Sequence, residues 1–448
     1  MKLNPTFAKL AILAVVTLLL CYVLAEIGGL VRERQQRQHE ATQDVVQSLA
    51  DAQTLLGPVL TRDCTETWTE LDAKKKPVQD SRGISMSLTP STLDVIGRLD
   101  PEARYRGLFK VNTYAARLKF NAQWQTLAPL EARAEHAGGK LSCEPIKVFV
   151  AATDNRGLRA ATLHVGKLDL PVRPGTGQGS YRAGLHATLP ERGLDESLQM
   201  VLALDVIGAE SLDVVPAAGS TRVQLGSSWP HPRFGGRFLP TKREVTDHGF
   251  DAEWQVSALQ TSAAADAQQG MALPRATASG PSLDSFGVEL IDPVNPYVLA
   301  DRAIKYGLMF IALTFVTVGL TELLTGRRVH PVQYLLLGLA LCLFFLLLLS
   351  LSEHLPFLAA YLIAAGAAAA VLTQYAAAML GGWRRGLVFG GGIALLYGAL
   401  YVLLSREQTA LVIGAVLLFA VLATVMTLTR KLDWYQLGSG PKAGSELR

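Results

Sequence analysis

The sequence predicts a membrane α-helical bundle, with one N-terminal and five C-terminal transmembrane helices, that carries a large β-rich periplasmic domain. Three observations predict this fold class: an apolar run near the start, five more in the last third, and a long polar middle. A stretch of about 20 apolar residues is enough to cross the hydrocarbon core of a bilayer. The expected domains are an anchor (1–30), the β domain (31–300), the five-helix domain (301–435) and a cytoplasmic tail (436–448).

Each apolar run has nearly the length of a membrane span, and charged or helix-breaking residues bound the five C-terminal runs. The first run has no small-x-small cleavage site after it, so we expect an uncleaved anchor rather than a removed signal peptide. The six predicted spans are Leu10–Leu30, Ile304–Leu324, Val332–Leu351, Pro356–Leu380, Gly386–Leu404 and Ala410–Thr429.

The orientation follows from the Lys and Arg residues between the spans, because positive residues stay on the cytoplasmic side. Both termini are therefore expected in the cytoplasm and the middle domain in the periplasm of a bacterium. The arginines that follow the first span conflict with this scheme locally: they are Arg32, Arg34 and Arg37. The basic clusters that support it occupy alternate connections: Arg327–Arg328, Arg384–Arg385 and Arg430–Lys431.

Short alternating runs with frequent Gly and Pro breaks predict strands in the middle domain. Ile146–Val150, Leu198–Val206 and Thr221–Leu225 are examples, and we expect a sandwich or a large twisted antiparallel sheet. Before them, a helix that continues the first span is expected to end at Gly57-Pro58. The segment Ser262–Ser282 lacks periodicity and is predicted to be disordered or a flexible excursion.

The composition excludes several classes of function. The chain has a net charge of +4, and residues 31–300 hold 29 Lys and Arg against 31 Asp and Glu, so no basic face for nucleic acid is expected. There is no HExxH, GxSxG or GxxxxGK[ST] motif and no zinc spacing of cysteines. We therefore predict no enzyme activity, no catalytic residue, no cofactor and no metal ligand.

The four cysteines divide between the two parts of the chain. Cys21 and Cys342 fall inside predicted spans, whereas Cys64 and Cys143 fall in the middle domain. An oxidising periplasm would permit a disulfide between the second pair. Two cysteines at this spacing do not decide whether the bridge forms.

Particular segments resemble the CreD family of bacterial inner-membrane proteins, and the resemblance extends over nearly the whole chain. It implies an inner-membrane protein that is linked to envelope stress, is controlled by a two-component system and has no established enzymatic activity. Asn295 stands where an acidic residue is expected. The segments that carry the resemblance include Ser227–Pro240, Asp292–Tyr297, His330–Tyr334, Leu349–His354 and Thr429–Tyr435.

Two groups of residues are candidates for a partner or interfacial site. In the middle domain, Trp229, His231 and Phe234 form either a structural turn or a compact docking loop. At the span ends, structural anchoring and a ligand or ion site are both open, and Asp301 and Lys305 have the spacing of a helical ion pair. This second group consists of Asp301, Arg302, Lys305, Glu353 and His354.

The function hypothesis is a non-enzymatic inner-membrane protein that supports cell envelope integrity or the envelope stress response. Its partners would be the lipid bilayer and a periplasmic protein, lipid or cell-wall component. The alternative is a transporter or lipid-handling protein with a periplasmic gate domain, although the spans lack charged residues near mid-membrane. The glycines Gly390–Gly392 are expected to allow close helix packing.

Overall fold

A computed structural model describes residues 5–71, 76–275, 280–292, 295–325, 329–406 and 410–430. The chain forms two compact units, one of residues 1–38 with 294–448 and the other of residues 39–293. We refer to them as the helical unit and the β unit. The basic clusters at 327–328 and at Lys431, and the predicted tail, lie outside the described residues.

All the strands of the described residues lie in the β unit, and the helices lie in the helical unit except for α2 and the end of α1. The helices are α1 Pro5–Ser48, α2 Ala263–Gln268, α3 Pro296–Lys305, α4 Gly307–Thr325, α5 Pro331–Ser352, α6 Phe357–Leu380, α7 Trp383–Ser405 and α8 Ala410–Thr429. The strands are β1 Gln53–Leu71, β2 Pro77–Leu88, β3 Thr92–Arg106, β4 Phe109–Trp124, β5 Lys140–Cys143, β6 Lys147–Ala152, β7 Leu158–Val165, β8 Leu168–Leu170, β9 Arg173–Pro174, β10 Gly184–Thr188, β11 Leu198–Ala209, β12 Ser211–Val214, β13 Ser220–Ser227, β14 Pro232–Gly236, β15 Lys242–Thr246, β16 Gly249–Ser257 and β17 Phe286–Leu290.

The helical unit contains an apolar helix at each predicted span. Among the described residues, α1, α5, α6 and α7 are long and apolar enough to cross a membrane, and α3 with α4 makes a fifth candidate. The eighth helix is apolar over a shorter stretch, Val412–Thr427. The predicted fold class of one N-terminal and several C-terminal apolar helices beside a β-rich domain is thus confirmed.

One predicted span is broken in the structure. The run Ile304–Leu324 was expected as a single helix, but α3 and α4 meet at a bend of 43° around Tyr306. Asn295 caps the start of α3 by accepting a hydrogen bond from the backbone N–H of Tyr297 at 3.0 Å. The bend gives α3 a direction different from that of α4. The sequence of α3 is amphipathic rather than wholly apolar.

Helices α6 and α7 approach closely because one glycine of the predicted set faces the partner helix. A Cβ atom at Gly390 would lie 1.9 Å from Oγ1 of Thr373, whereas Cβ atoms at Gly391 and Gly392 would meet nothing within 4 Å. Of the three glycines, only Gly390 is therefore required by helix packing. Small residues at such positions let helix backbones come together in a membrane.

We expect Gly390→Val to lower the thermal stability of the protein in detergent, because its side chain would force α6 and α7 apart. Overpacking of this kind costs about 1–3 kcal/mol. The matched control is Gly391→Val. It makes the same substitution in the same helix, at a position where the added side chain would meet open space. Equal melting temperatures for the two variants would contradict the proposed packing role.

The β unit is a sandwich of two sheets. The first sheet has the order β14-β17-β12-β1-β6-β10-β9, and β2 and β5 also pair with β1. The second has the order β15-β16-β13-β3-β4-β11-β7-β8. Most neighbours are antiparallel, but β1 pairs with β12 and β13 pairs with β3 in parallel.

The core of the sandwich comes from alternate residues of the two sheets. Along β4, for example, Leu118, Phe120, Ala122 and Trp124 point inward and are almost wholly buried. A buried hydroxyl also links the two sheets: the Tyr114 hydroxyl donates to the carbonyl of Ser211 at 2.7 Å, which joins β4 to β12. This alternation is the period-two pattern that predicts strands.

Two predictions for the β unit were wrong in detail. Helix α1 ends at Ser48, and Gly57-Pro58 lies inside β1, where the register with β6 shifts between Leu56 and Val59. A proline without an N–H fits such an irregularity, so the pair marks a bulge and not a helix stop. In its described part, Ser262–Ser282 is also not a flexible excursion, because Tyr181 donates to the carbonyl of Met271 at 2.7 Å.

Cys64 and Cys143 form a disulfide between directly paired residues of β1 and β5. Residues 131–143, which we call the strap, are held to the β1 strand beyond this bond as well. The buried Glu66 carboxylate accepts hydrogen bonds from the backbone N–H groups of Glu135 and His136 at 2.9 and 2.8 Å. The His136 N–H lowers the pKa of Glu66 most, and the ring of His136 stacks on Trp68 at 3.6 Å.

The domain boundaries predicted at residues 30, 300 and 435 refer to position across a membrane. They stay a prediction, since the division into compact units follows contacts and not depth in a bilayer.

Candidate functional site

The first candidate site is the turn between β13 and β14, where the chain passes from one sheet of the sandwich to the other. The indole N–H of Trp229 donates to the carbonyls of His231 and Ile291 at 3.0 and 3.2 Å. Pro232 then begins β14. The indole's polar atom is therefore used within the fold, and it fixes the shape of the turn.

A lysine covers the Trp229 ring. The Lys110 ammonium lies 5.1 Å from the ring centroid and forms an ion pair with Asp292 at 3.1 Å. A cation at this distance from an indole face is attracted to it. The arrangement presents a half-buried aromatic ring and a cation at one edge of the sandwich.

The other two predicted residues of this turn differ in exposure. Phe234 is partly buried and packs edge-on against Phe250 and Trp254, with ring centroids 5.6 and 5.7 Å apart. The side chain of His231 is exposed. Phe234 is thus placed to hold the turn, while the exposed His231 and the half-buried Trp229, with Lys110 over its ring, lie at the surface.

The second candidate site lies at one end of the helical unit, where ionic and polar groups from α1, α3 and the end of α5 meet. The Glu353 carboxylate, whose side chain is 9% exposed, lies 3.3 Å from the Arg34 guanidinium. The Tyr297 hydroxyl lies 3.4 Å from the same carboxylate. The Asn295 side-chain amide donates to Gln38 at 3.1 Å.

The remaining predicted residues of this end are arranged separately along α3 and beyond α5. Asp301 and Lys305 form the expected ion pair at 2.7 Å, one helical turn apart. Arg302 is half-buried and His354 is exposed. The structure brings Glu353 together with Arg34 and Tyr297, which sequence reasoning did not assign to the site.

One signal in the sequence pointed to Arg34. It is one of three arginines that disagree with the charge pattern of the spans, and Glu353 is an acidic residue expected on the same face. A cation that breaks the topology rule at a span end is a candidate for an ion pair. The pairing itself could not be predicted, because it depends on how α1 packs near the end of α5.

The opposite end of the bundle carries a second ionic group. Lys9 from α1 forms an ion pair with Glu322 from α4, and the Tyr334 hydroxyl of α5 lies 3.1 Å from the same carboxylate. The Lys9 ammonium also lies 5.7 Å from the Tyr334 ring centroid. These contacts place the start of α1, the end of α4 and the start of α5 at one end, as an antiparallel arrangement requires.

Inside the bundle, two hydroxyl groups are buried without a hydrogen-bond partner among the described residues: Thr314 Oγ1 and the Tyr397 hydroxyl. Tyr397 packs against Phe344 and Phe310, with ring centroids 4.5 and 5.8 Å away. Within the described ranges, no group of three His, Cys, Asp or Glu residues could hold a metal ion.

Comparison with known proteins decides the family. Residues 5–435 match the family described as "Inner membrane protein CreD". The chain is 33% identical to the Inner membrane protein CreD of Escherichia coli (strain K12) over 439 residues, covering 96% of this chain and 94% of that protein. This chain belongs to the CreD family. It is accordingly a multi-pass inner-membrane protein, and the predicted resemblance is confirmed.

A solved structure is also similar over a limited region. It is the crystal structure of an M1 zinc metallopeptidase from Deinococcus radiodurans, which is 8% identical and covers 37% of this chain and 38% of its own, with a TM-score of 0.18. So low a score carries no argument about fold or function.

Proposed function

We propose that this CreD-family chain is a non-enzymatic inner-membrane protein whose β unit faces the periplasm and binds an envelope component. In this role it supports envelope integrity or the envelope stress response. The observation that carries the proposal is the Cys64–Cys143 disulfide within the β unit. Disulfides persist in the periplasm and are rare in the reducing cytosol.

The charges at the bundle ends support the same orientation. Lys9 and the pair Arg384 and Arg385 lie at connections that would face the cytoplasm, as positive residues prefer. Arg34 would lie on the periplasmic side, and its ion pair with Glu353 gives that cation a structural role. Both termini would then be cytoplasmic.

The docking surface that we propose comprises the Trp229 ring face, the exposed His231 and the Lys110 ammonium. Aromatic rings with a neighbouring cation are typical of partner interfaces, where Trp and Tyr contribute much of the binding energy. Phe234 supports this surface from within the sandwich. The partner is a periplasmic protein, a lipid or a cell-wall component.

Site-specific photo-crosslinking in living cells tests this surface. A photoreactive residue at His231 is expected to give a defined adduct with an envelope component, and Trp229→Ala is expected to remove it. The control position is Leu259, which is 98% exposed in the same unit. Equal adducts from both positions, or an adduct that survives Trp229→Ala, would refute the docking surface.

A second candidate function, transport of a lipid-like or small solute, has one observation in its favour. The Tyr397 hydroxyl is buried in the bundle without a partner among the described residues, and a passing polar group could satisfy it. Proteoliposomes that move solute, and lose this flux in Tyr397→Phe, would support transport. If the intact chain moved no solute, transport would be excluded and the binding of an envelope component would remain as the proposed function.

A further inference from the structure

The outer face of the eight-stranded sheet carries a groove that none of the functions above uses. It lies over β3, β13, β16 and β15 and has a volume of about 470 Å³. Pockets that bind small molecules have volumes of about 300–1,000 Å³. Its lining includes Ile96, Arg98, Gln224, Gly226, Glu244 and Asp251.

A glycine forms the floor of this groove, and the Asp251 carboxylate leans over it. Gly226 occupies an outward position of β13, and a Cβ atom there would come within 2.6 Å of Oδ1 of Asp251. Ile96 on β3 is 51% exposed and forms an apolar wall beside the floor. The groove thus combines open space, an apolar contact and the Gln224 side-chain amide.

Cross-strand pairing separates the charges around the glycine. On one side Gly226 pairs with Asp251, which in turn pairs with Glu244. On the other side Gly226 pairs with Arg98, which pairs with Arg117. The row that crosses the four strands and β4 is therefore acidic on one side of a glycine without a side chain and basic on the other.

The charges are only partly neutralised within the fold. On the basic side, Asp100 lies 2.9 Å from Arg117 and 3.9 Å from Arg98, so one carboxylate faces two guanidinium groups. On the acidic side, Lys242 also lines the groove but pairs with Glu253 at 3.3 Å, and no cation of the described residues lies within 4.0 Å of the Asp251 or Glu244 carboxylates. An incoming ligand with both charges would meet complementary groups at each end.

We propose that this groove binds a short peptide through its free amino and carboxylate ends. The ammonium would lie over Asp251 and Glu244, and the carboxylate over Arg98. Neighbouring strands are about 4.8 Å apart, so Asp251 and Arg98 are separated by about 10 Å across Gly226. An extended chain of two or three residues, at about 3.5 Å each, matches this span.

This site is distinct from the docking surface at Trp229, and either can exist without the other. The ligand class follows from the dipolar row: a purely anionic ligand would be repelled by the acidic side, and a purely cationic one by the basic side. Charge-assisted hydrogen bonds at both ends give the selectivity. Small side chains of the peptide would contact Ile96.

The test is titration calorimetry of the full chain in detergent with the peptide Ala-Ala-Ala and its N-acetylated and C-amidated forms. The free peptide is expected to bind saturably, and each blocked form about tenfold more weakly or not at all. Gly226→Leu is expected to abolish binding by filling the floor. The matched control, Gly83→Leu, adds the same side chain to another exposed strand position where a Cβ atom meets nothing within 4 Å.

Asp251→Asn provides a second variant that changes no volume. It should weaken binding of the free peptide about tenfold and leave the weak binding of the N-acetylated form unchanged. No saturable heat with Ala-Ala-Ala, equal affinity for free and blocked peptides, or unchanged binding by a folded Gly226→Leu would each overturn the proposal. The outcome does not depend on crosslinking at His231, so failure of one proposal does not imply failure of the other.

Discussion

Trp254→Ala is expected to destabilise the β unit by about 3–5 kcal/mol, the usual loss when a buried aromatic side chain is truncated. Trp254 is fully buried, and its ring packs against Phe234 and Phe286 at 5.7 and 5.6 Å. Its indole N–H donates to the carbonyl of Phe238 at 3.2 Å. Removal of the ring leaves a cavity and an unsatisfied carbonyl at the point where β14 joins the first sheet.

Urea-dependent pulse proteolysis of the β unit within the full chain measures this effect. Trp254→Phe should lose less stability because it keeps most of the packing, and Tyr105→Ala, at a residue 68% exposed, should lose little. A Trp254→Ala midpoint equal to that of Tyr105→Ala would mean that the sandwich core is not formed around this ring.

The same variant bears on the docking surface. Phe234 leans on Trp254, and Phe234 follows the Trp229 turn by five positions in the chain. We expect the His231 crosslink to weaken in Trp254→Ala even under conditions where the unit stays folded. A weaker crosslink would show that the docking surface depends on the packing of Phe234 against Trp254, which would not be expected of an aromatic ring that is merely exposed.

The membrane spans were predictable because a span is a local property: about 20 apolar residues in sequence suffice. The strands were predictable for a related reason, since inward and outward positions alternate along each one. The break at Tyr306 was not, because Ile304–Leu324 is mostly apolar and the amphipathic α3 begins before it. The prediction for Gly57-Pro58 was wrong because a Gly-Pro pair can occur either at a helix end or at an irregularity within a strand.

Long-range pairing could not be predicted from the sequence. The parallel neighbours β3 and β13 are separated by nearly half of the β unit, and no local pattern specifies which strands meet. The same limit applies to the candidate sites. The Asp301–Lys305 ion pair was predicted from helical spacing, whereas the contact of Glu353 with Arg34 depends on the packing of α1 near the end of α5.

The groove on the second sheet shows the limit most clearly. Gly226, Arg98 and Asp251 are unremarkable residues in the sequence, and each lies on a different strand. Only the register of β16, β13 and β3 places them side by side. The amino-acid composition shows only that the domain is nearly neutral. It does not show that opposite charges are separated across neighbouring strands.

Loss of the disulfide in Cys64→Ser/Cys143→Ser is expected to destabilise the β unit by about 4 kcal/mol in the chain-entropy model, because the bond closes a long loop. The two cysteines are 79 positions apart. The effect should begin locally, since β5 has four residues and the disulfide lies at its end. Protease should therefore cut the strap, residues 131–143, before the rest of the unit unfolds.

Reduction of the intact chain should reproduce the double variant, and dithiothreitol should have no further effect on that variant. On a non-reducing gel the wild-type chain should migrate faster than the variant, whereas Cys21→Ser should migrate as wild type. Glu66 makes the strap sensitive to acid as well. Its folded pKa is lowered, so its stabilising effect is present above the ordinary glutamate pKa and is lost as pH falls through the folded value.

In the reduced protein the Glu66 hydrogen bonds are among the contacts that still hold the strap, together with the pairing of β5 to β1, so acid and reductant together should release it at a milder pH than acid alone does. Limited proteolysis across a pH series, with and without dithiothreitol, measures this shift. A strap that is cut at the same pH in both conditions would mean that the disulfide does not hold it. If the non-reducing gel also showed no bond, the observation on which the periplasmic orientation depends would be removed, because an unformed bond says nothing about the compartment.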